Sequence, residues 1–233
     1  MGSFCKFCFA APRRSRRPPF RYTRWRVPNA KSRYGVHPGV AMTQKWIAEL
    51  KGKTGRSLDE WLALIRQSGP ADLKDRRAWL KSEHGLGTNY AAFLAERAEG
   101  KGRGADLDSP EAYLAAAARY VSEMFAGPKA GLLPLYEELL ELGLALGPDV
   151  QACPCQTMVP FYRKHVFAQI KPATRTRIDL GFALGARRSA GRLITTGGFE
   201  KKDRITHRIP IESAADIDHE VKRWMRIAYE EDQ

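Results

Sequence analysis

From Met42 onward, apolar positions recur every three or four residues, the spacing of helices that bury one face. Ser57 followed by Glu60 is a capping signature opening SLDEWLALIRQSG, in which Leu58, Trp61, Leu62 and Ile65 share a face before Gly69-Pro70 stops the helix. A second helix is expected over about 72–82, with Leu73, Trp79 and Leu80 as its apolar residues. The turn HGLGT leads into a third over about 89–97, with Ala91, Phe93 and Leu94. Trp46, Trp61 and Trp79 are assigned to one small core. Gly100, Gly102 and Gly104 form a flexible linker. Ser109-Pro110-Glu111 supplies a cap, a proline at the first helical position and a first-turn acid, starting a helix to about Ala126. Gly127-Pro128 ends it, and a Leu-rich helix over 131–146 is closed by Gly147-Pro148.

The period then changes to two. MVPFYR and VFAQIK read as strands paired around Lys164-His165, and Ile178, Leu180, Phe182 and Leu184 alternate with polar or small residues. Leu193-Ile194 and residues 206–211 supply two more strands. Ser213 is expected to cap a last helix bearing Ile217, Val221, Trp224 and Ala228. Strands in a run, followed by a packing helix, predict an α+β fold. It comprises a small N-terminal helical module (42–104), a connecting helix (105–130) and a C-terminal antiparallel β-meander packed by helices (131–233).

Charge changes this picture at the N-terminus. The net charge is +13, but residues 1–41 hold ten Lys and Arg and no acid, so residues 42–233 carry only +3. This leader has no apolar periodicity and is expected to be disordered. Ser15-Arg16-Arg17 hints at a twin-arginine export signal, yet the apolar segment such signals need is missing; an organellar transit peptide is a second reading. The preferred reading is a mis-assigned start, with translation beginning at Met42. No apolar run reaches membrane-spanning length, so no membrane association and a cytoplasmic setting are expected.

Candidate chemistry is sparse. Cys5 and Cys8 in CKFC and Cys153 and Cys155 in CPC offer a two-plus-two zinc set, but C-x-C is a poor ligand pair, and reduced thiols are the simpler reading. No nucleophile elbow, phosphate loop or H-E-x-x-H is present, so no cofactor, no metal and no catalytic residue is assigned. His165 or His207 beside Asp179 or Asp203 is the weak enzymatic option, with Asp179 expected to face solvent.

Two features point to an anionic partner. In Gly85-Leu86-Gly87-Thr88-Asn89-Tyr90-Ala91 the glycine spacing is similar to the helix-hairpin-helix of nonspecific DNA binders, where backbone N–H groups meet a phosphate. His84 stands where that motif often has proline, and a plain interhelical turn is the alternative. The second feature is the meander. Positions 160–211 hold 12 Lys and Arg against three acids, with Arg163, Lys171, Arg175, Arg177, Arg187 and Arg188 as the candidate anion contacts. The competing outcome is that these cations pair with acids, notably Asp216, Asp218 and Glu220 of the last helix.

Residues 42–100, with MTQKWIAEL, GRSLDEWLALI and AWLKSEHGLGTNYAAFLAERAEG, resemble the bacterial family called domain of unknown function 4287. Residues 132–231, with FAQIKP, RIDLGFAL and ITHRIPI…IDHEVKRWMRIAYEED, resemble domain of unknown function 5655. The resemblance implies a bacterial origin and an intact pair of modules starting at Met42, and no activity. The leading expectation is a non-catalytic binding protein for an anionic partner, DNA or RNA contacted nonspecifically and salt-sensitively through phosphates. The alternative is a small-molecule or protein-binding module with its pocket between the sheet and the last helix, and an enzyme ranks third. Oligomeric state is not legible.

Overall fold

The computed structural model describes residues 32–99 and 105–232. The helical module comprises α1 (Gly39–Thr54), α2 (Leu58–Ser68), α3 (Leu73–Ser82) and α4 (Thr88–Ala98). The capping box forms as the spacing predicts: Ser57 N donates to Glu60 Oε2 at 2.6 Å and Glu60 N to Ser57 Oγ at 3.3 Å. Asp72 caps α3 through the amides of Lys74 and Asp75. Leu50, Trp61, Ile65, Leu80, Leu86, Leu94 and Ala95 form the core of this module. Of the three tryptophans only Trp61 is fully buried, its Nε1 donating to Thr54 Oγ1. Trp46 packs edge-on against Phe93, and Trp79 against His84. Arg76 is a buried cation whose one carboxylate neighbour, Glu99, stands at 3.9 Å, the outer limit of an ion pair. Its guanidinium instead donates to the carbonyls of Pro70, Ala71 and Ala95, tying the end of α2 to the end of α4.

Ser109 caps α5 (Pro110–Met124), and a 3-10 turn over Gly127–Leu132 leads into α6 (Leu133–Leu144). The sheet comes next: β1 (Gln151–Ala152), β2 (Val159–Tyr162), β3 (Val166–Pro172), β4 (Ile178–Phe182), β5 (Ile194–Thr195) and β6 (His207–Ile211), in the order β1-β2-β3-β4-β6-β5. All pairings are antiparallel. One face is the core. Phe161, Ile170, Ile178, Leu180, Phe182 and Ile209 pack with Tyr136, Leu139 and Leu140 of α6 and with Val221, Trp224 and Met225 of α7 (His219–Glu231). Gly143 of α6 lies flat on the Phe161 ring, where a Cβ would have no room. The register slips between Phe161 and Tyr162, so Phe167 enters the same core as the extra residue of a bulge. The fold is thus α+β, with a helical N-terminal module and an antiparallel sheet packed by helices.

Two expectations are corrected. Ser213 does not cap the last helix. Its side chain and Asp216 form a capping box on a 3-10 turn, Ala214–Asp216, and Asp218 caps α7 instead. Nor does packing begin at Met42. Arg33 pairs with Glu137 at 2.7 Å and Glu141 at 3.0 Å, Tyr34 Oη meets Tyr136 Oη at 3.0 Å, and Gly35 N donates to Ala152 O. Val40 is 2% exposed, in a cluster with Tyr113, Ala117 and Cys153. A short aromatic and aliphatic string suffices to dock because α5, α6 and β1 leave a groove for it. Residues 1–31, including Cys5 and Cys8, and the glycine linker at 100–104 lie outside the described residues.

Candidate ligand-binding site

A strand alternates its side chains, so burying Ile170, Ile178, Leu180 and Ile209 sends their neighbours to the other face of the sheet. In register, Pro160, Gln169, Gly181 and Arg208 form one row across four strands, and Lys171, Asp179 and Pro210 form the next. Two walls rise from this floor: His37 with Cys155 and Met158 on one side, Thr196, Asp203, Arg204 and Ile205 on the other. Together they enclose a trough of about 630 Å3, within the usual range of small-molecule sites. The trough lies on the face opposite the helices; the space between sheet and α7, where a pocket was the alternative expectation, is filled core. Gly181 is required by the wall, because a Cβ there would sit 2.7 Å from Ile205 Cγ2.

The polar groups of the trough differ in what they have left to offer. Asp179 Oδ1 accepts from Arg177 Nε at 3.0 Å and Arg208 Nη1 at 2.9 Å, so its charge is offset twice over and it is half-buried, not solvated. Lys171, its register partner, has no carboxylate within ion-pair distance among the described residues. His37 Nδ1 accepts the Gly39 amide at 2.9 Å, and burial lowers the imidazole pKa. The ring is therefore neutral with its proton on Nε2, which faces Tyr162 Oη at 3.1 Å. Nε2–H donates to the phenol oxygen, and the phenol hydrogen remains to be given to something else. Burial pushes the Tyr162 hydroxyl up to about 12, so it stays a donor across the physiological range. Burial also pushes the Cys155 thiol up, and its Sγ leans on the Cys153 carbonyl, so this thiol is not activated as a nucleophile.

The sequence candidates separate. Gly85 adopts φ 63° and Leu86 N closes α3 by donating to Leu80 O, with the Leu86 side chain buried. Gly87 has φ −62° and open space where a Cβ would go, and Thr88 begins α4. This geometry is a helix-ending turn with a hydrophobic plug. It belongs to the helical module, apart from the trough. In the meander, Arg163 binds Asp149 and stacks on Tyr229, Arg177 and Arg208 share Asp179, Arg187 pairs with Glu231, and Arg204 with Asp232. Arg192 gathers Asp216, Asp218 and Glu220. Six of the twelve cations are thus paired, and only Lys171 of the named anion contacts enters the trough. Arg175 lines a neighbouring cavity beside Lys171, and Arg188 is exposed on the β4–β5 connection. The histidine–aspartate pairs of the enzymatic option do not form among the described residues. His165 contacts Asp232, and His207 is buried between Thr206 Oγ1 and the Arg187 carbonyl, so neither hydrogen-bonds Asp179 or Asp203. Sequence reasoning did not find His37 and Tyr162: they are separated by 125 positions, and no local spacing links them.

No helix among the described residues is long and apolar enough to cross a membrane. No curated protein and no solved structure matched the chain. Two family matches cover most of the chain after residue 41: domain of unknown function DUF4287 over residues 42–100 and domain of unknown function DUF5655 over residues 121–232. The trough floor and far wall fall within the second match, while His37 precedes the first. The chain is therefore a two-module protein in which a DUF4287 domain is followed by a DUF5655 domain.

Proposed function

We propose that this chain is a non-catalytic binding protein for a small anionic ligand held in the trough on the open face of the sheet. The observation that carries this reading is the tautomer of His37. With Nδ1 occupied by the Gly39 amide, the ring donates to Tyr162 and leaves the phenol hydrogen for a guest. Lys171, which lines the same trough, has no carboxylate within ion-pair distance among the described residues, so a carboxylate or phosphate oxygen meets one neutral donor and one cation. A binding role fits better than catalysis because three of the groups able to do chemistry in the trough are already engaged. Asp179 is doubly paired, the Cys155 thiol is held protonated, and His37 is fixed by two hydrogen bonds.

Nucleic acid remains the second reading, supported by Lys164, Lys171, Arg175, Arg188, Lys201 and Lys202, which carry no ion pair among the described residues. Salt separates the two. Polynucleotide held by several phosphate contacts loses affinity steeply between 50 and 200 mM salt, by about a thousandfold or more for six contacts. A small anion meeting one lysine and one phenol changes by about tenfold or less over the same range. Titrating the protein with duplex DNA, single-stranded RNA and a panel of small carboxylates and phosphate monoesters at both salt concentrations decides between them. Unbridged Cys153 and Cys155 are in keeping with a reducing, cytoplasmic setting, which belongs to this proposal together with a bacterial origin.

A further inference from the structure

A second cavity, of about 550 Å3, adjoins the trough across the loop that joins β1 to β2. The loop is pinched by Cys155 N donating to Met158 O at 2.8 Å. Cys155 and Met158 consequently face the trough, while Gln156 and Thr157 face the second cavity. Lys171 lines both. Lys129 and Arg175 complete a cationic rim around the second one, Lys129 from the 3-10 turn before α6 and Arg175 from the β3–β4 turn. Among the described residues no carboxylate lies within ion-pair distance of Lys129, Lys171 or Arg175. The one acid at the rim, Glu123, leans toward Arg119 at 3.8 Å. Lys129 Nζ is anchored by donating to the Pro172 carbonyl at 2.8 Å, which holds its position and leaves two of its three hydrogens.

This arrangement contrasts with six arginines elsewhere in the meander. Arg163, Arg177, Arg187, Arg192, Arg204 and Arg208 all found acids, whereas three cations were left to share one concavity. Like charges around a cavity repel unless an anion sits between them, and the Thr157 hydroxyl and Gln156 amide add neutral donors suited to a multiply charged oxyanion. We propose that this second cavity is an oxyanion site for a phosphate-class group of charge −2 or more, a phosphate monoester or a diphosphate. Lys129, Lys171 and Arg175 neutralise it, and Thr157 and Gln156 donate to its remaining oxygens. Lys171, shared by the two cavities, allows one ligand to place a polar body in the trough and its phosphate beyond the loop.

The second cavity's anion site does not depend on the trough being occupied, and the test separates the two. Calorimetric titration of the full chain with inorganic pyrophosphate at low salt should show saturable binding. Lys129→Met and Arg175→Gln should each weaken it at least about tenfold, and Arg175→Lys should recover part of the loss. Tyr162→Phe, which touches only the trough, should leave pyrophosphate binding unchanged, and circular dichroism checks that each variant is folded. The proposal is overturned if pyrophosphate fails to bind at millimolar concentration, if Lys129→Met with Arg175→Gln binds as the parent does, or if Tyr162→Phe abolishes binding while those two do not.

Discussion

His37 Nε2 stands 3.1 Å from Tyr162 Oη, an edge-on pairing of two rings that lie 125 positions apart in the chain. The imidazole is neutral in the fold because burial lowers its pKa below the ordinary 6.5. The unfolded chain therefore takes up this proton first as pH falls, and the folded chain later. Stability from His37 is fully present above about pH 6.5 and declines as pH falls from there toward the lower folded value. His37→Gln removes the titrating group, so urea unfolding of the two proteins between pH 7.5 and 5 should show the steeper loss in the parent. Parallel curves would mean that His37 is not held neutral.

The segment before Met42 contributes packing. A chain beginning at Met42 lacks Val40 and strips the buried Tyr136 hydroxyl of its partner Tyr34, relative to a chain beginning at Ser32. Burial of a valine and a lost buried hydrogen bond together amount to about 3 kcal/mol. For a chain of this size that lowers the thermal midpoint by roughly 6–12 °C. Equal midpoints would show that residues 32–41 are passengers.

Arg76 ties three backbone carbonyls of the helical module together. Arg76→Ala leaves the carbonyls of Pro70, Ala71 and Ala95 without their donor and should cost about 3 kcal/mol in denaturant unfolding. Arg76→Lys, a point charge in place of a fork, should recover only part of it. A loss under about 1 kcal/mol would show that water replaces the guanidinium.

The two glycines of the α3–α4 turn should behave differently. Gly85 has a left-handed φ of 63°, and alanine there should cost about 1–2 kcal/mol. Gly87 has an extended conformation and open space, so Gly87→Ala should stay within about 0.5 kcal/mol of the parent. Comparable losses at both would point to a constraint on the turn beyond its backbone angles.

What the sequence made legible was local. The Ser57–Glu60 box and the Ser109-Pro110 start of α5 act over three or four residues, and the alternation of Ile178, Leu180 and Phe182 sets which face is buried. The site was mostly illegible because its groups meet through topology. Strand β1 is two residues long and carries no alternation to detect. The docking segment SRYGVHPGVA has no periodicity of its own to set it apart from the basic residues before it, and its role comes from the groove it fills. A count of cations could not reveal that Arg187 meets Glu231 and Arg192 meets Asp216, 44 and 24 positions away. The basic excess was real, but half of it is internal.

The trough is tested most directly by removing its two free donors one at a time. Any small carboxylate that binds the parent protein should lose about tenfold in affinity, about 1.4 kcal/mol, in Tyr162→Phe. It should lose at least as much in Lys171→Met, with both variants folded by circular dichroism. The contrary result is a small-anion ligand that binds both variants as tightly as the parent, or a panel in which only polynucleotide binds; either would mean that the open face of the sheet is not a small-anion site.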